Sequence, residues 1–273
     1  MERKRRAVER VKHWNMQRKH FSLAGLSKTG MTLMMLAMAG AVGSFFGQQE
    51  KVTKQEARLA QAAEVQAEWS RYADEDAFVV LIDAGHGAQD SGKVGVHGEL
   101  EKDINLQIAN RLYEYLVQEG VAAVRTRPED DSLYDPGAAN QKLTELRARC
   151  EAAETSRADI AVSIHQNSYG KENVRGPQLF YYAGSEAGAR LAQILQEQFD
   201  GVIGAEQNRR QPKANTEYYL LIHMPCPIVI AECGFLSNPE EAESLSDADY
   251  QDRIAWCLSQ GILKYRAEQE KSE

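Results

Sequence analysis

Short apolar runs alternate with longer amphipathic segments along the chain from residue 78 onward. Apolar runs of strand length predict β-strands at 78–83, 121–126, 160–164, 177–182 and 228–231, with a further short strand at 218–222. Apolar residues at helical spacing predict helices at 102–119, 137–156, 185–199 and 247–265. This alternation predicts an α/β fold in three layers, with helices on both faces of a mostly parallel sheet.

The N-terminal region has a different pattern. Residues 31–46 form an uncharged run, and eight Lys or Arg residues against two Glu residues precede it within positions 1–20. The run is close to the lower limit of ~17 residues for a membrane-spanning helix. The basic flank predicts an amino terminus inside the cell and a body at the extracytoplasmic face of the membrane. A single-pass anchor is favoured, a cleaved signal peptide that releases the body is the main alternative, and a buried core helix is a further one.

These patterns divide the chain into five parts. A basic cytoplasmic tail, an anchor or signal segment, a polar tether, a catalytic domain and a C-terminal tail are expected at 1–28, 29–47, 48–76, 77–267 and 268–273. The net charge is −8 although the amino terminus is basic, so the body is acidic. Phosphate binding needs clustered Lys and Arg, which argues against nucleic acid as a partner.

Chemically active side chains follow three of the predicted strands. His86 comes after the first strand, His165 follows the run at 160–164, and Glu232 follows the run at 228–231. If these strands are parallel, their carboxyl ends meet at one edge of the sheet, where ligands bind in open α/β folds. The three side chains are therefore expected to lie close together.

A further carboxylate stands before the first long helix. Glu101 adjoins the start of that helix and Glu99 lies deeper in the loop, so position alone favours Glu101 only modestly. His97 is the nearest rival as a ligand, since it is four residues from Glu101. Two His residues and one carboxylate form the ligand set of a hydrolytic zinc site, with Glu232 free to move protons. The alternative for Glu232 is a structural role, in which its carboxylate pairs with an Arg or caps a helix.

Four motifs carry a specific resemblance. The segments DAGHG at 83–87, EKDINL at 101–106, SIHQN at 163–167 and ECGFLSN at 232–238 resemble those of the zinc-dependent N-acetylmuramoyl-L-alanine amidases, amidase type 3. The resemblance implies a phosphorylase/hydrolase-like α/β domain with a mixed sheet. It also implies one Zn²⁺ per chain on His86, Glu101 and His165, with Glu232 as the catalytic residue.

The family resemblance implies cleavage of the amide between N-acetylmuramic acid and L-alanine in peptidoglycan. The N-terminal segment and the run GPQLFYY at 176–182 look most like the spore-cortex, germination-specific branch, which acts in muramic-lactam formation. Asn167 and Arg209 are candidates for substrate contact, and an activator protein is a possible partner. The alternatives are a zinc carboxypeptidase of the stem peptide and a non-catalytic wall-binding module.

Overall fold

A computed structural model describes residues 77–133, 137–204 and 210–271 of the chain. Six strands run from Val79–Ala84 (β1), Ala122–Arg125 (β2), Ile160–Asn167 (β3), Gln178–Tyr182 (β4), Lys213–Asn215 (β5) and Ile228–Phe235 (β6). The α-helices are Glu101–Gln118 (α1), Gln141–Thr155 (α2), Glu186–Phe199 (α3), Tyr219–His223 (α4), Pro239–Ser246 (α5) and Ala248–Gln269 (α6). A single π-helical turn, Asp200–Gly204, follows α3.

The six strands form one mixed sheet in the order β2-β1-β3-β6-β4-β5. The pairs β1–β2, β1–β3, β3–β6 and β4–β5 are parallel, and β4 runs antiparallel to β6. β1, β3 and β6 are therefore parallel neighbours, as the sequence predicts. Their carboxyl ends lie along the same edge of the sheet.

Two apolar clusters cover the two faces of the sheet. Val80 and Ile82 of β1 belong to a cluster with residues of α1, α3 and α6, whereas Val79 and Leu81 belong to a second cluster with residues of α2 and α4. The alternation follows from the two-residue repeat of a strand, which points successive side chains to opposite faces. The expected mixed, mostly parallel α/β sheet with helices on both faces is confirmed.

Three elements differ from the sequence-based predictions. The strand expected at 218–222 is wrong, because this segment forms the short helix α4, in which Leu220 and Leu221 are buried. β5 lies in a polar stretch for which the sequence pattern predicts no strand, and it is defined by its pairing with β4. α5 is also absent from the predicted elements, although Asn238 caps it and Pro239 occupies its first turn.

The predicted anchor, tether and basic tail lie outside the described residues. Within the part of the chain that the structure describes, no helix combines the length and the apolar character that a bilayer crossing requires.

Candidate metal centre

The carboxyl ends of β1, β3 and β6 bring together the side chains that the sequence singles out. His86 follows β1 by two residues, and His165 and Glu232 are directly paired across the parallel β3–β6 ladder. Because paired residues of neighbouring strands lie side by side, His165 and Glu232 occupy the same level of the sheet edge. The backbone N–H of Gly85 donates to Ile164 O at 3.0 Å, which fastens the His86 turn to β3.

Two imidazoles and one carboxylate form a compact cluster at this edge. One potential ligand atom from each of His86, Glu101 and His165 lies within 4.8 Å of the other two. His86 Nε2 lies 3.2 Å and His165 Nδ1 lies 2.9 Å from Glu101 Oε1. The two rings are 5.0 Å apart between centroids and nearly perpendicular. The arrangement converges two nitrogen donors and one oxygen donor on a single point.

Glu101 owes its position to the first turn of α1. Its side chain is buried, and its Oε2 accepts the backbone N–H of Lys93 at 2.7 Å while its Oε1 accepts that of Gln166 at 3.1 Å. Burial opposes ionisation, but the hydrogen bonds with His165 and His86 outweigh it and hold the pKa of Glu101 well below its usual range. Glu101 is therefore an ionised carboxylate that faces both histidines.

His86 sits in a left-handed backbone conformation, with φ of 62°. Such a conformation is costly for a non-glycine residue and must be imposed by surrounding contacts. Asp90 Oδ2 lies 2.8 Å from His86 Nδ1, which leaves Nε2 facing Glu101. Burial lowers the pKa of His86, but Glu101 and Asp90 together raise it above its usual value.

A carboxylate on the outer nitrogen of a ligand histidine is a common feature of metal sites, because it fixes the tautomer and orients the ring. Asp90 is not among the residues that the sequence pattern singles out. Its position four residues after His86 was the available signal.

Gly85 allows the His86 turn to approach β3. A Cβ atom at this position would overlap the imidazole ring of His165.

Below the turn, the fully buried Asp83 accepts hydrogen bonds from Ser163 Oγ at 2.6 Å and Thr126 Oγ1 at 2.8 Å and pairs with Arg149. Burial raises the pKa of Asp83, but Arg149 and the hydroxyl donors outweigh this and lower it overall.

Glu232 differs from Glu101 in its surroundings. Its side chain has no hydrogen bond to Oε2 within the described residues, and that atom is buried. Burial, together with the negative charge of Glu101, raises the pKa of Glu232 to about 7, although the two histidines act in the opposite direction. The described part of the chain shows neither an Arg partner nor a helix cap for Glu232, and residues 205–209, which include Arg209, lie outside it.

The remaining candidates lie apart from the cluster or outside the described residues. His97 Nε2 contacts Pro239 O at 3.3 Å, so the rival ligand is turned elsewhere. Asn167 ends β3, and its Oδ1 accepts the N–H of Ser168 at 2.8 Å. Arg209 falls outside the described residues. Asn105, which sequence reasoning missed, donates to Gly85 O at 3.1 Å and lies 3.5 Å from Glu101 Oε1.

The fold and the cluster define an α/β domain with a candidate metal centre at the carboxyl edge of its sheet. Residues 80–264 match the N-acetylmuramoyl-L-alanine amidase family, and the chain belongs to this family. The protein is therefore an amidase, which confirms the enzyme class expected from the sequence.

Named relatives place the chain within the family. It is 34% identical over 194 residues to the germination-specific N-acetylmuramoyl-L-alanine amidase of Bacillus subtilis, covering 70% of this chain and 80% of that protein. It is similar to the structure of the CwlD amidase from Clostridioides difficile in complex with the GerS lipoprotein, with a TM-score of 0.66 and 36% identity over 70% of this chain and 98% of that one. The amidase AmiC2 of Nostoc punctiforme gives a TM-score of 0.62 and 34% identity over 70% and 97% of the two chains.

Proposed function

We propose that the protein is a zinc-dependent hydrolase that cleaves the amide between N-acetylmuramic acid and L-alanine in peptidoglycan. The observation that carries the proposal is the cluster of His86, Glu101 and His165 beside the buried Glu232. Two imidazoles and a carboxylate leave a coordination position open, which is typical of hydrolytic rather than structural zinc sites. Membership of the amidase family supports the same reaction.

The donor set fits a zinc ion. Neutral imidazole nitrogens and an ionised carboxylate are zinc ligands, and Asp90 orients His86 as carboxylates do behind metal-bound histidines. When bound, Zn²⁺ supplies Lewis-acid chemistry, because it polarises a carbonyl and lowers the pKa of a water molecule to ~7. The low pKa of Glu101 keeps this ligand ionised at neutral pH.

Glu232 performs the proton transfers. With a pKa of about 7, it can take a proton from the attacking water and deliver it to the nitrogen of the leaving L-alanine. The pairing of Glu232 with His165 on the β3–β6 ladder, and the influence of His165, Glu101 and His86 on its pKa, support this role. The cleaved C–N bond yields a free carboxyl group on the lactyl side of the sugar and an amino terminus on the stem peptide.

Mass spectrometry of digested peptidoglycan tests the proposed reaction. The zinc-loaded protein is expected to release stem peptides that begin at L-alanine from purified peptidoglycan. Loss of terminal D-alanine would instead make the protein a carboxypeptidase, and binding without any product would make it a wall-binding module. The Glu232→Gln variant is the negative control, since it retains the three residues of the donor cluster.

We further propose that the protein acts on the spore cortex, in muramic-lactam formation, from the extracytoplasmic face of the membrane. The relative from Bacillus subtilis is described as germination-specific, and the apolar run at 31–46 with its basic flank supports attachment through the N-terminal segment. Muropeptide profiles of spores from a deletion strain are the test. A cortex that still contains muramic lactam would contradict this role.

An activating partner is also proposed. The structure of the CwlD amidase was determined as a complex with the GerS lipoprotein, which supports the existence of a comparable partner here. Affinity purification of the full chain from sporulating cells is expected to recover a specific protein that raises amidase activity. Full activity of the pure protein with zinc alone would contradict the need for one.

A further inference from the structure

Arg127 is a fully buried cation whose hydrogen bonds within the described residues go to backbone carbonyl groups. It directly follows Thr126, just beyond β2. Its Nε donates to Ala84 O at 3.0 Å, one terminal nitrogen donates to Gly85 O at 3.0 Å and to Lys102 O at 2.7 Å, and the other reaches Glu129 O at 3.3 Å. Burial lowers the pKa of Arg127. Buried charges are usually paired with opposite charges, so a buried guanidinium group bonded to backbone carbonyl groups is an unusual arrangement.

The carbonyl partners of Arg127 belong to the two segments that carry candidate ligands. Ala84 and Gly85 lead directly into His86, and Lys102 directly follows Glu101. A single terminal nitrogen of the guanidinium group bonds to both segments, at Gly85 O and Lys102 O. These segments come from different elements, the turn after β1 and the first turn of α1. The planar guanidinium group therefore fixes the distance between them.

The loop after β2 also contacts the turn after β1, at Ala88. Asp130 Oδ1 accepts the N–H of Ala88 at 2.8 Å, and Lys102 Nζ donates to Ala88 O at 2.9 Å. Lys102 and Asp130 are themselves paired at 2.5 Å. Ala88, like His86, has a positive φ, here 48°. This costly conformation is stabilised by the hydrogen bonds to both the N–H and the carbonyl group of Ala88.

A second buried arginine beside the turn, Arg149, has carboxylate partners as well as carbonyl partners. It donates to His86 O at 2.9 Å and to Ala84 O at 2.8 Å, but it also pairs with the carboxylates of Asp83 and Glu145. Its charge is therefore satisfied within the core beneath the turn. Of these two arginines, only Arg127 donates to the first turn of α1, which carries Glu101, through its hydrogen bond to Lys102 O.

We propose that Arg127 is a positioning residue that sets the separation of His86 and Glu101, so that the metal site is preformed. The inference rests on the proposed metal site and deepens it. Groups behind the ligands are known to orient them, and their loss typically weakens metal binding by about 10–100-fold. Lysine cannot replace arginine here, because one ammonium group on a flexible stem cannot form the same rigid fork of hydrogen bonds.

The test compares the zinc affinity of Arg127→Lys with that of the unmodified full-length protein, measured by competition with a chromophoric chelator. We expect a loss of about 10–100-fold in zinc affinity. The absorption spectrum of the Co²⁺-substituted variant is expected to change as well, because the ligand geometry is altered. Ile254→Val and Leu258→Ala, which create cavities in the buried face of α6, are the controls for a general loss of thermal stability.

The outcomes separate the inference from the proposed function. If Arg127→Lys loses no more zinc affinity than an α6 variant of equal melting temperature, the role of Arg127 is purely structural and the inference fails. If Arg127→Lys does not fold, Arg127→Gln, which removes the buried charge and keeps an N–H donor, replaces it as the test, with the same loss of zinc affinity expected. A zinc affinity in Arg127→Gln equal to that of the unmodified protein would then overturn the inference. If the unmodified protein binds no zinc, the proposed function itself is wrong.

Discussion

At the scale of single residues, two carboxylates of one sheet edge differ in their protonation because their neighbours differ. Glu101 faces two imidazoles and receives backbone N–H donors, so its pKa is low. Glu232 is buried with one oxygen lacking a partner among the described residues, so its pKa rises to about 7. Such a separation of pKa values is typical of sites in which two carboxylates have different roles, which supports the proposed proton transfer by Glu232.

Glu232→Gln is expected to separate proton transfer from metal binding. Glutamine keeps the size of the side chain but cannot take up a proton near neutral pH. Zinc content is therefore expected to be unchanged, whereas kcat falls by roughly 10²–10⁴. Metal analysis and turnover of the same preparation are the measurements. Loss of zinc together with activity would show that Glu232 is a ligand instead.

The raised pKa of Glu232 also predicts the pH dependence of stability in chelator-treated protein. A carboxyl group with a folded pKa of about 7 binds its proton more tightly in the folded state than in the unfolded state, where its pKa is near 4.5. The free energy of unfolding should therefore fall as the pH rises from 4.5 to 7, by up to about 3 kcal/mol. Urea unfolding of the unmodified protein and of Glu232→Gln across this range is the measurement. Parallel curves for the two proteins would contradict the assignment.

The sequence could predict the positions of His86, His165 and Glu232 because each follows an apolar run of strand length. It did not single out Asp90, Asn105 or Arg127. Arg127 directly follows the predicted strand at 121–126 and Asp90 lies four residues after His86, but neither spacing is specific for a contact with the site. Their roles depend on which loops meet in three dimensions. Arg127 and Gly85, for example, are 42 residues apart in the chain and share a hydrogen bond.

At the scale of elements, the turn between β1 and α1 is the most constrained part of the site. Gly92 has a positive φ of 66°, and a Cβ atom there would lie 2.5 Å from Glu101 Oε2 and 2.7 Å from His86 Cδ2. The glycine thus serves two purposes. It supplies a left-handed conformation, and it leaves the space that two candidate ligands occupy.

Gly92→Ala is therefore expected to displace Glu101 and His86 together and to weaken zinc binding by about 10-fold or more. Gly120→Ala is the matched control, because Gly120 has a similar φ of 70° but no neighbouring atom within 4 Å of the place that an alanine methyl group would take. Both variants should lose similar stability through backbone strain. Chelator competition is the measurement, and equal zinc affinities in the two variants would contradict the steric argument.

Errors in the predicted elements arose where local sequence is ambiguous. The segment 218–222, most of which lies in α4, is an apolar run of five residues, a length at which periodicity cannot distinguish a strand from a helical turn. β5 is short, polar and largely exposed, so only its pairing with β4 defines it. α5 could have been predicted, because Asn238 and Pro239 form a helix start and Asn238 Oδ1 accepts the N–H of Glu241 at 3.0 Å.

At the scale of the whole molecule, the region that matches the family contains every residue of the candidate site. The family match covers residues 80–264, and two related structures are covered over 98% and 97% of their length by alignments that span 70% of this chain. The N-terminal region is expected to determine location rather than chemistry.

A chain that begins at Asp74 is therefore expected to be soluble and to retain its amidase activity on purified peptidoglycan. The comparison is kcat/KM of the shortened and full-length proteins, both with zinc. A folded but inactive shortened protein would mean that the tether or the anchor contributes to catalysis. The full-length protein in detergent is the control for the quality of the substrate.

The reversed direction of β4 determines which loop borders the site. Since β4 is antiparallel to β6, its first residue, Gln178, lies beside Glu232, and its last residues lie towards the opposite edge. The segment at 168–177 thus enters at the reactive edge, and its ends are fastened through Tyr169 N to Ser237 Oγ and Gly176 N to Glu241 Oε1. Most residues between these two anchors are exposed, and Glu172 O accepts the side-chain N–H of Asn238 at 2.7 Å. A graft of this segment from a relative is therefore expected to leave the donor cluster in place while it alters the surface at the reactive edge.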